Sequence, residues 1–473
     1  MHVAVNQNIL EMEYAVRGPI PQRAAELRKE GQTTIPCNIG NPHALGQKPI
    51  SYYRQVLSLV EDPSLIARER RLRTLAINTE AIAKSDLISD YVIDLAESYL
   101  AKMEAGTGAY TESQGPAFIR ESVAAFIDRR DGLGGSTIVP SDPDQIFITN
   151  GASEGAKYVI DLLLADQRDG IMIPIPQYPL YSAAIKRCGA VQVNYYPDEE
   201  DGWTFDRAVL EDAYEKAEQE GVNVKGIVVI NPGNPTGAVL DENTVLEVIA
   251  FAREKDLVII ADEVYQDNVY GDKFISFAGA LGAEPVPLFS LHSMSKGFYG
   301  ECGHRGGYLE IRNSPRVAGT DLSFTDLIFK QASVNICSNT VGQLLMYLMV
   351  NPPTEDCEPY RQFMAEKRSI LETLQEKAAL IRDAFDQMDG VSCFGRTGAM
   401  YLFPRLDKLP AGKTDFDYCI KLLERTGLCT VNGSGFGQKE GTQHLRIAFL
   451  PPKEVIEEVM PEWIRFHNEY VNS

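Results

Sequence analysis

The fold is decided by seven short apolar segments: IFIT (146–149), IMIPI (171–175), VQVNYY (191–196), VKGIVVI (224–230), LVIIAD (257–262), PLFSL (287–291) and GGYLEI (306–311). Helical patterns are interspersed among them, which favours a mostly parallel sheet. Segments such as Val228 to Ile230 are apolar on both faces, as is typical of a sheet covered by helices on both sides. The sequence therefore predicts an α/β fold, with a seven-stranded, mostly parallel sheet between helices in a large domain.

Neither flank of this core shows the alternation of strands and helices. A helix-rich polar stretch precedes it, and predicted helices at 360–388, 415–425 and 453–471 follow, with one strand, HLRIAFL, at 444–450. We expect a smaller α+β domain built from both termini. The predicted parts are residues 1–105 for the amino-terminal part of the small domain and an interface arm, 106–350 for the large domain, and 351–473 for the carboxyl-terminal part of the small domain.

Charge and cysteine usage narrow the classes of function. Lys and Arg number 45 and Asp and Glu 66, a net charge of −21 that disfavours a nucleic-acid partner. The eight cysteines are dispersed, and no Cys or His pair has metal-ligand spacing, so we expect reduced thiols and no metal site.

The longest apolar runs, such as 344–350, are far shorter than the ~20 residues of a membrane span. No Lys or Arg precedes Arg17, and Glu11 and Glu13 stand where an import signal avoids acidic residues. We therefore expect no membrane partner and a cytoplasmic location.

Unusual polar residues follow several of the predicted strands, at the edge where open α/β sheets bind ligands. Gly151 to Ser153 open a helix, Asn234 lies in the turn NPGNPTG (231–237), and Asp262 ends an apolar strand. Lys296 lies among small residues just beyond another strand. Each has a plain structural explanation as well: a helix cap, a rigid turn, an ion pair or a solvated lysine.

Taken together, these residues match one cofactor better than any of them does alone. Pyridoxal phosphate needs an amine for its aldehyde and an acid for its pyridine nitrogen. It also needs donors to its ring oxygen, an aromatic face, and cations with amides around its phosphate. The strand ends offer every one of these groups in one sheet, so we interpret them as a pyridoxal phosphate site.

Five motifs carry a family resemblance: CNIGNPHALGQKP (37–49), PQYPLYSA (176–183), NPGNPTG (231–237), ADEVYQ (261–266) and SMSKGFYGECGHRGGY (293–308). The chain resembles the alanine aminotransferase branch of the fold-type I pyridoxal phosphate aminotransferases, from about Tyr14 to the final helix. The first and last motifs are the most selective for this branch.

The resemblance implies roles for the residues around the cofactor ring. Lys296 would bind the cofactor aldehyde and then shuttle a proton between the substrate Cα and the cofactor. Asp262 would keep the pyridine nitrogen protonated, and Tyr265 and Asn234 would hydrogen-bond the ring oxygen. Tyr178 would stack on the ring.

It also implies how the phosphate is bound. Ala152, Ser153, Ser293 and Arg305 would contact it at the start of a helix. Tyr110, in GAYTESQG (108–115), matches the position from which the family reaches this phosphate across a dimer interface. A homodimer is therefore expected.

Arg446 matches the family arginine that binds the substrate α-carboxylate through two parallel hydrogen bonds, with the Gly40 amide and Asn234 nearby. From the residues alone, a structural ion pair remains an alternative for an arginine within an apolar strand. The substrates expected from the resemblance are an amino acid and a 2-oxo acid: L-alanine and 2-oxoglutarate give pyruvate and L-glutamate by a ping-pong mechanism.

Three other functions stay open at this point. The nearest is a glutamate:glyoxylate aminotransferase of the same branch, followed by a lyase that uses the same cofactor and a non-catalytic protein of the same fold. Residues 337–343, CSNTVGQ, stand where this branch is expected to be rich in proline, and this difference bears on substrate range.

Overall fold

The computed structural model describes residues 3–12, 18–78, 87–132, 139–271 and 273–472. Tyr14, where the resemblance begins, and Glu13 and Arg17 lie outside these ranges. Strands within the described ranges are as follows: β1 (Ile35–Pro36), β2 (Ile146–Thr149), β3 (Asp169–Pro174), β4 (Val191–Tyr195), β5 (Asn223–Ile230), β6 (Val258–Asp262), β7 (Leu288–Ser293), β8 (Gly307–Arg312), β9 (Val391–Ser392), β10 (Tyr401–Leu402), β11 (Arg405–Leu406), β12 (Leu428–Cys429), β13 (Val431–Asn432) and β14 (Leu445–Ala448).

Helices surround these strands, and side chains cap several of them, as Asp241 does for α10 and Thr414 for α15. Their bounds are α1 (Gln7–Leu10), α2 (Pro19–Lys29), α3 (Ser51–Glu61), α4 (Ser64–Asn78), α5 (Asp90–Lys102), α6 (Ala117–Asp131), α7 (Ala152–Leu163), α8 (Leu180–Cys188), α9 (Arg207–Gln219), α10 (Glu242–Glu254), α11 (Phe277–Leu281), α12 (Phe324–Val334), α13 (Thr340–Val350), α14 (Tyr360–Phe385), α15 (Asp415–Thr426) and α16 (Lys453–Val471).

The predicted seven-stranded sheet is confirmed, in the order β2-β8-β7-β6-β5-β3-β4. Only β8 runs against its neighbours, pairing antiparallel with both β7 and β2. The start of β8 therefore lies at the same sheet edge as the ends of β2 and β7. This reversal brings residues just before β8, including Arg305, to the edge where the other strands end.

Both faces of the sheet are buried, as the apolar strand sequences predict. Alternate residues of β5 point to opposite sides: Val228 packs in one cluster with α7, α8 and α12, while Ile227 and Val229 pack in another with α9, α10 and α11. Burying two apolar faces fixes the strand register. The register pairs Ile230 with Asp262, and so it places the turn after β5 beside the end of β6.

Two further clusters hold the flanking segments. One joins α2 with α14, α15, α16 and β14, so both ends of the chain contribute to a small α+β unit. The other joins α3 and α5 with α6 and α13, next to the large sheet. Packing thus places residues 51–61 and 90–102 with the large domain's helices, and the division at residues 105 and 350 stays a prediction.

The predicted helices are present, with small differences at their ends. The helix expected at 360–388 ends at Phe385, and the helix expected to open at Gly151 to Ser153 spans Ala152–Leu163. The helix expected at 415–425 runs one residue further, to Thr426, because Gly427 at φ +78° then ends it in the left-handed conformation. Helix α16 has the predicted bounds, Lys453–Val471.

The eight cysteines are free thiols. Among the described helices, none combines the length and the apolar surface that a membrane span requires. The part of the chain that the structure describes holds no group of three or more His, Cys, Asp or Glu side chains suited to a metal ion.

Candidate active site

A cavity of about 350 Å³ lies at the sheet edge where β2, β5, β6 and β7 end. Residues 39–41 and the start of β14 close its other side. All of the predicted site residues except Tyr110 line it, namely Gly40, Ala152, Ser153, Tyr178, Asn234, Asp262, Tyr265, Ser293, Lys296, Arg305 and Arg446. The fold therefore brings together residues that are up to 406 positions apart in the sequence.

Lys296 is part-buried in this cavity, three residues after β7. Its Nζ donates a hydrogen bond to the Gly40 carbonyl at 2.8 Å and lies 5.8 Å from the centre of the Tyr265 ring. The next amide, Gly297, donates to the Asn268 side chain at 2.8 Å and fixes the turn. Within the described residues, no carboxylate forms an ion pair with Lys296, so its amine faces the cavity as a reactive group.

Asp262 ends β6 and is only 5% exposed. The Tyr181 hydroxyl donates to its Oδ2 at 2.7 Å, while Oδ1 receives only a long 3.5 Å contact from the Val264 amide. Burial raises the pKa of Asp262, although the Tyr181 hydroxyl, the Val264 amide and the charge of Lys296 oppose this rise. Oδ1 is thus a buried acceptor with capacity for an N–H donor.

Five residues form an anion cradle: Gly151, Ala152, Ser153, Ser293 and Arg305. Helix α7 begins here without a side-chain cap, so its first amides are free to bind an anion. The Arg305 guanidinium donates to the Asn150 carbonyl at 2.9 Å and to Ser153 Oγ at 3.4 Å. No carboxylate of the described residues pairs with it, and a cation beside free amides suits a phosphate.

The Arg446 cluster lies on the opposite side of the cavity and comprises Asn38, Asn234, Tyr401, Phe436 and Arg446. Arg446 is 2% exposed, and its two terminal nitrogens donate to Asn234 Oδ1 at 3.0 Å and to the Asn38 carbonyl at 2.6 Å. Its guanidinium packs between two rings, 4.2 Å from that of Tyr401 and 4.6 Å from that of Phe436.

This guanidinium has no carboxylate partner among the described residues, and its buried Nε has no hydrogen bond there. A buried, uncompensated charge is costly unless a ligand pairs with it. The structural ion pair left open above is therefore not what this arginine makes within the described chain, and an anionic ligand fits instead.

A pair of phenols joins the two sides. The Tyr265 hydroxyl donates to the Tyr401 hydroxyl at 3.2 Å, and both rings are buried. Burial raises the pKa of Tyr265. Burial acts in the same direction on Tyr401, but the charges of Lys296 and Arg446 outweigh it and lower its pKa.

Tyr110 is not brought to the cavity by this chain. It is 78% exposed and does not line the site. The unusual segment 337–343 contacts its neighbourhood, since Gln343 Nε2 donates to Thr111 Oγ1 at 2.8 Å. The same segment reaches the anion cradle, because the Asn339 amide donates to the Asn150 side chain at 2.8 Å.

Sequence reasoning missed four residues of this site. Tyr181 and Asn38 stand within the motifs PQYPLYSA and CNIGNPHALGQKP, and Tyr401 lies in the segment GAMYLFP (398–404), but nothing in their spacing indicates a role. Phe436 follows no strand of the large sheet. The contacts of these four residues depend on tertiary packing, with Asn38 and Arg446 408 positions apart.

The arrangement fits pyridoxal phosphate at each end. An amine faces the cavity, and a buried carboxylate oxygen has capacity for a pyridine N–H. A guanidinium that pairs with no carboxylate of the described residues lies beside uncapped helix amides. The fold and these groups define a pyridoxal phosphate-dependent enzyme of fold type I.

Comparisons with known proteins name the family within this class. The family model described as aminotransferase class I and II matches residues 75–460. Over 99% of this chain, it is 42% identical to glutamate–glyoxylate aminotransferase 2 of Arabidopsis thaliana, covering 96% of that protein. It is 41% identical to alanine aminotransferase 2 of Panicum miliaceum, covering 99% of this chain and 97% of that protein.

Among solved structures, the alanine aminotransferase from Pyrococcus furiosus is similar, with a TM-score of 0.77 and 26% identity, covering 98% of this chain and 100% of that one. The chain belongs to the class I and II aminotransferase family. It is a pyridoxal phosphate-dependent aminotransferase, and the predicted fold, enzyme class and cofactor are confirmed.

Proposed function

We propose that this enzyme transfers the amino group of L-alanine to 2-oxoglutarate, giving pyruvate and L-glutamate, by a ping-pong mechanism. The observation that carries the proposal is the buried guanidinium of Arg446, which pairs with no carboxylate of the described residues and lies in the same cavity as the Lys296 amine. Amino acids and 2-oxo acids share one α-carboxylate, so a single clamp serves both half-reactions. The 41% identity to an enzyme named alanine aminotransferase supports the choice of alanine.

Pyridoxal phosphate, when bound, supplies the electron sink that stabilises the negative charge left on the substrate Cα when its proton leaves. Lys296 would hold the cofactor aldehyde through Nζ and, with substrate bound, would take the proton from the substrate Cα. Asp262 would keep the pyridine nitrogen protonated through Oδ1, which receives only the long 3.5 Å contact from the Val264 amide. Tyr265 would donate a hydrogen bond to the ring oxygen, together with the amide nitrogen of Asn234, whose oxygen already accepts from Arg446.

The anion cradle holds the phosphate at a fixed distance from Lys296. The amides of Ala152 and Ser153, the Ser293 hydroxyl and the Arg305 guanidinium are its donors. Tyr178, which lines the cavity, would stack on the ring. Contacts at both ends would keep the cofactor in one position relative to Lys296.

Arg446 orients the substrate by holding its α-carboxylate through two parallel hydrogen bonds. The Gly40 carbonyl already accepts from Lys296, and its amide is a further donor to the same carboxylate. The apolar rings on both faces of the guanidinium exclude water and so strengthen this ion pair.

The test uses purified enzyme loaded with pyridoxal phosphate. L-alanine alone should convert the cofactor to its pyridoxamine form, read by absorbance, with one pyruvate released per site. Addition of 2-oxoglutarate should restore the first spectrum and release glutamate. Borohydride reduction followed by mass mapping should place the cofactor on Lys296. An alanine-treated enzyme whose spectrum does not change would refute alanine as donor, and an adduct on another residue would refute the role of Lys296.

A second candidate is the glutamate:glyoxylate reaction, favoured by the 42% identity to an enzyme of that name. Both reactions use the same groups, and small differences in pocket shape discriminate weakly between small substrates. Side-by-side kcat/KM values for 2-oxoglutarate with alanine, and for glyoxylate with glutamate, decide between them. A higher value for the glyoxylate pair would replace the first proposal.

We also propose that the enzyme is a cytoplasmic homodimer in which Tyr110 completes the partner's anion cradle. Exposed apolar side chains, including Val334 and Ile336, lie beside the cradle and suit an interface. Sedimentation should give twice the chain mass, and Tyr110→Phe should weaken cofactor binding. A monomer that binds cofactor with unchanged affinity in this variant would contradict the proposal, and cell fractionation tests the location.

A further inference from the structure

Tyr401 lies where the cofactor side and the substrate side of the cavity meet, and no role has yet been given to it. Its hydroxyl oxygen is 3.2 Å from that of Tyr265, and its ring lies 4.2 Å from the Arg446 guanidinium carbon. The side chain is buried and lines the cavity. It therefore contacts one residue assigned to the cofactor and one assigned to the substrate.

Gly40 provides the space that the Tyr401 hydroxyl occupies. A Cβ atom at position 40 would lie 2.0 Å from the Tyr401 hydroxyl oxygen and 3.0 Å from Lys296 Nζ. Because both distances start from the same point, the hydroxyl oxygen and Nζ are at most about 5 Å apart. Any larger residue at position 40 would displace the phenol from the amine.

The direction of the hydrogen bond between the two phenols follows from simple counting. A hydroxyl has one hydrogen to donate and can also accept. In this structure the Tyr265 hydroxyl donates to that of Tyr401. Once Tyr265 donates to the ring oxygen of the cofactor, it has no hydrogen left for Tyr401, so this bond has to reverse. Tyr401 must then be the donor, and Tyr265 receives one hydrogen bond while it gives another.

The charges around the pair favour the same direction. Burial raises the pKa of Tyr401, but the charges of Lys296 and Arg446, together with the hydrogen bond from Tyr265, outweigh it and lower this pKa. Burial and the neighbouring phenol raise the pKa of Tyr265. The two cations remain when the bond between the phenols reverses, and a phenol beside cations is the stronger hydrogen-bond donor, so they favour Tyr401 as the donor. A chain of two such bonds polarises both of them.

We propose that Tyr401 is a positioning residue for transamination, whose hydroxyl donates to Tyr265 and so directs the Tyr265 hydroxyl to the ring oxygen of the cofactor. The Tyr401 ring at the same time packs against Arg446, the substrate clamp. The inference rests on the proposed role of Tyr265 and extends it: one residue couples the electronic state of the cofactor to the position of the substrate carboxylate.

The first test is the pH titration of the bound cofactor's absorbance in Tyr401→Phe. A weaker bond from Tyr265 disfavours the ionised ring oxygen, so the midpoint should rise by about 0.3 to 1 pH unit, the equivalent of one hydrogen bond. If Tyr401 were instead a competing acceptor, its removal would strengthen the bond from Tyr265 and the midpoint would fall. A fall or an unchanged midpoint would overturn the proposal.

The second test uses the enzyme without cofactor. Wild-type apoenzyme should show a tyrosine that ionises below the others in the ultraviolet absorbance of tyrosinate, and Tyr401→Phe should abolish this transition. Tyr195→Phe is the matched control, because it also removes a buried hydroxyl, bonded to the Val228 carbonyl at 2.9 Å, and Tyr195 does not line the active-site cavity. Loss of the low transition in the control, or its retention in Tyr401→Phe, would contradict the assignment.

Gly40→Ala keeps the Tyr401 hydroxyl but moves it. This variant still tests the proposal if Tyr401→Phe fails to fold. It should raise the cofactor midpoint in the same direction, and a fall would again overturn the inference. The two proposals fail in distinguishable ways. If the wild type does not accept an amino group from alanine, the proposed reaction is wrong, but the titration results remain valid. If the wild type is active and the midpoint of the cofactor titration is unchanged in both variants, only the role of Tyr401 is refuted.

Discussion

The anion cradle and the Arg446 cluster line the same cavity but differ in how they are built. The cradle uses backbone amides and an exposed arginine, drawn from the turn after β2 and the segment between β7 and β8. The cluster uses a buried arginine held by side chains and a carbonyl from four separate parts of the chain. The first is a product of the sheet edge, whereas the second exists only when the small domain packs on the large one.

This difference decides how strongly a substitution in the cofactor half (the anion cradle) or in the substrate half (the Arg446 cluster) should lower activity. Water near Arg305 screens its charge and can replace a lost hydrogen bond. Arg446 is desolvated, so the substrate carboxylate loses far more binding free energy when the two-pronged geometry of the guanidinium changes. Substitutions should therefore cost more on the substrate side than on the cofactor side, which the following variants test.

The largest effect is expected at Lys296, which serves both halves. Lys296→Ala removes the cofactor's attachment and the proton carrier, so kcat should fall by at least about 10³-fold. The measurement is alanine-dependent glutamate formation at saturating cofactor. Lys216→Ala, on the exposed face of α9, is the control and should leave the rate unchanged. Activity within tenfold of wild type would mean that another base moves the proton.

The next variants compare the two arginines directly. Arg446→Lys loses the two-pronged contact and should lower kcat/KM for both the amino acid and the oxo acid by roughly 30- to 1000-fold, with the cofactor spectrum unchanged. Arg305→Lys keeps a screened charge and should weaken cofactor binding by only about tenfold. Steady-state kinetics and cofactor titration measure the two. An equal or larger loss in Arg305→Lys would invalidate the contrast.

Each half also has one glycine that makes room for a functional group. A Cβ at Gly151 would lie 2.7 Å from the Arg305 guanidinium, and Gly151 has φ +77°, so Gly151→Ala should weaken cofactor binding by about tenfold. Gly40→Ala should instead raise substrate KM, and by more than this, because its Cβ would displace the Tyr401 phenol that packs on the desolvated Arg446. Gly303→Ala, which meets no atom within 4 Å, is the control. Exchange of the two phenotypes would show that the halves are assigned the wrong way round.

The smallest effect concerns Tyr181, which supports the cofactor half through Asp262. The Tyr181 hydroxyl bonds the ionised carboxylate, and so Tyr181→Phe should raise the pKa of Asp262 further. More of the carboxyl is then protonated at a given acidic pH, and the acid limb of the kcat profile should move upward by about one pH unit. The neutral rate should change little. A downward move, or the same shift in Tyr195→Phe, would exclude this role.

The same contrast explains what could be predicted from the sequence. All seven strands of the sheet were predictable, because burial on both faces leaves continuous apolar runs. Lys296, Asp262 and Arg305 follow from this, since the order of strands places their ends at one edge. The reversed β8 is a tertiary feature, but Arg305 lies close enough to Lys296 in sequence for the motif to reveal it.

The Arg446 cluster could be predicted only in part. Arg446 is conspicuous within an apolar strand, whereas the partners Asn38, Tyr401 and Phe436 have no pattern of their own. Asparagine and tyrosine are common in turns and cores, and their contacts here depend on how the small domain lies on the sheet. Tyr110 shows the same limit, since a single chain leaves it exposed and its role as a contributor to a second copy stays a prediction.

The bond between Asn38 and Arg446 has a consequence for biosynthesis. Every residue of the anion cradle has been synthesised once position 305 has been added, but Arg446 is added only about 140 residues later. A chain that stops before β14 contains the residues proposed to bind the cofactor but lacks Arg446, which is proposed to orient the substrate. The substrate-binding group is thus the last to form, when Arg446 near the carboxyl end contacts Asn38 near the amino end.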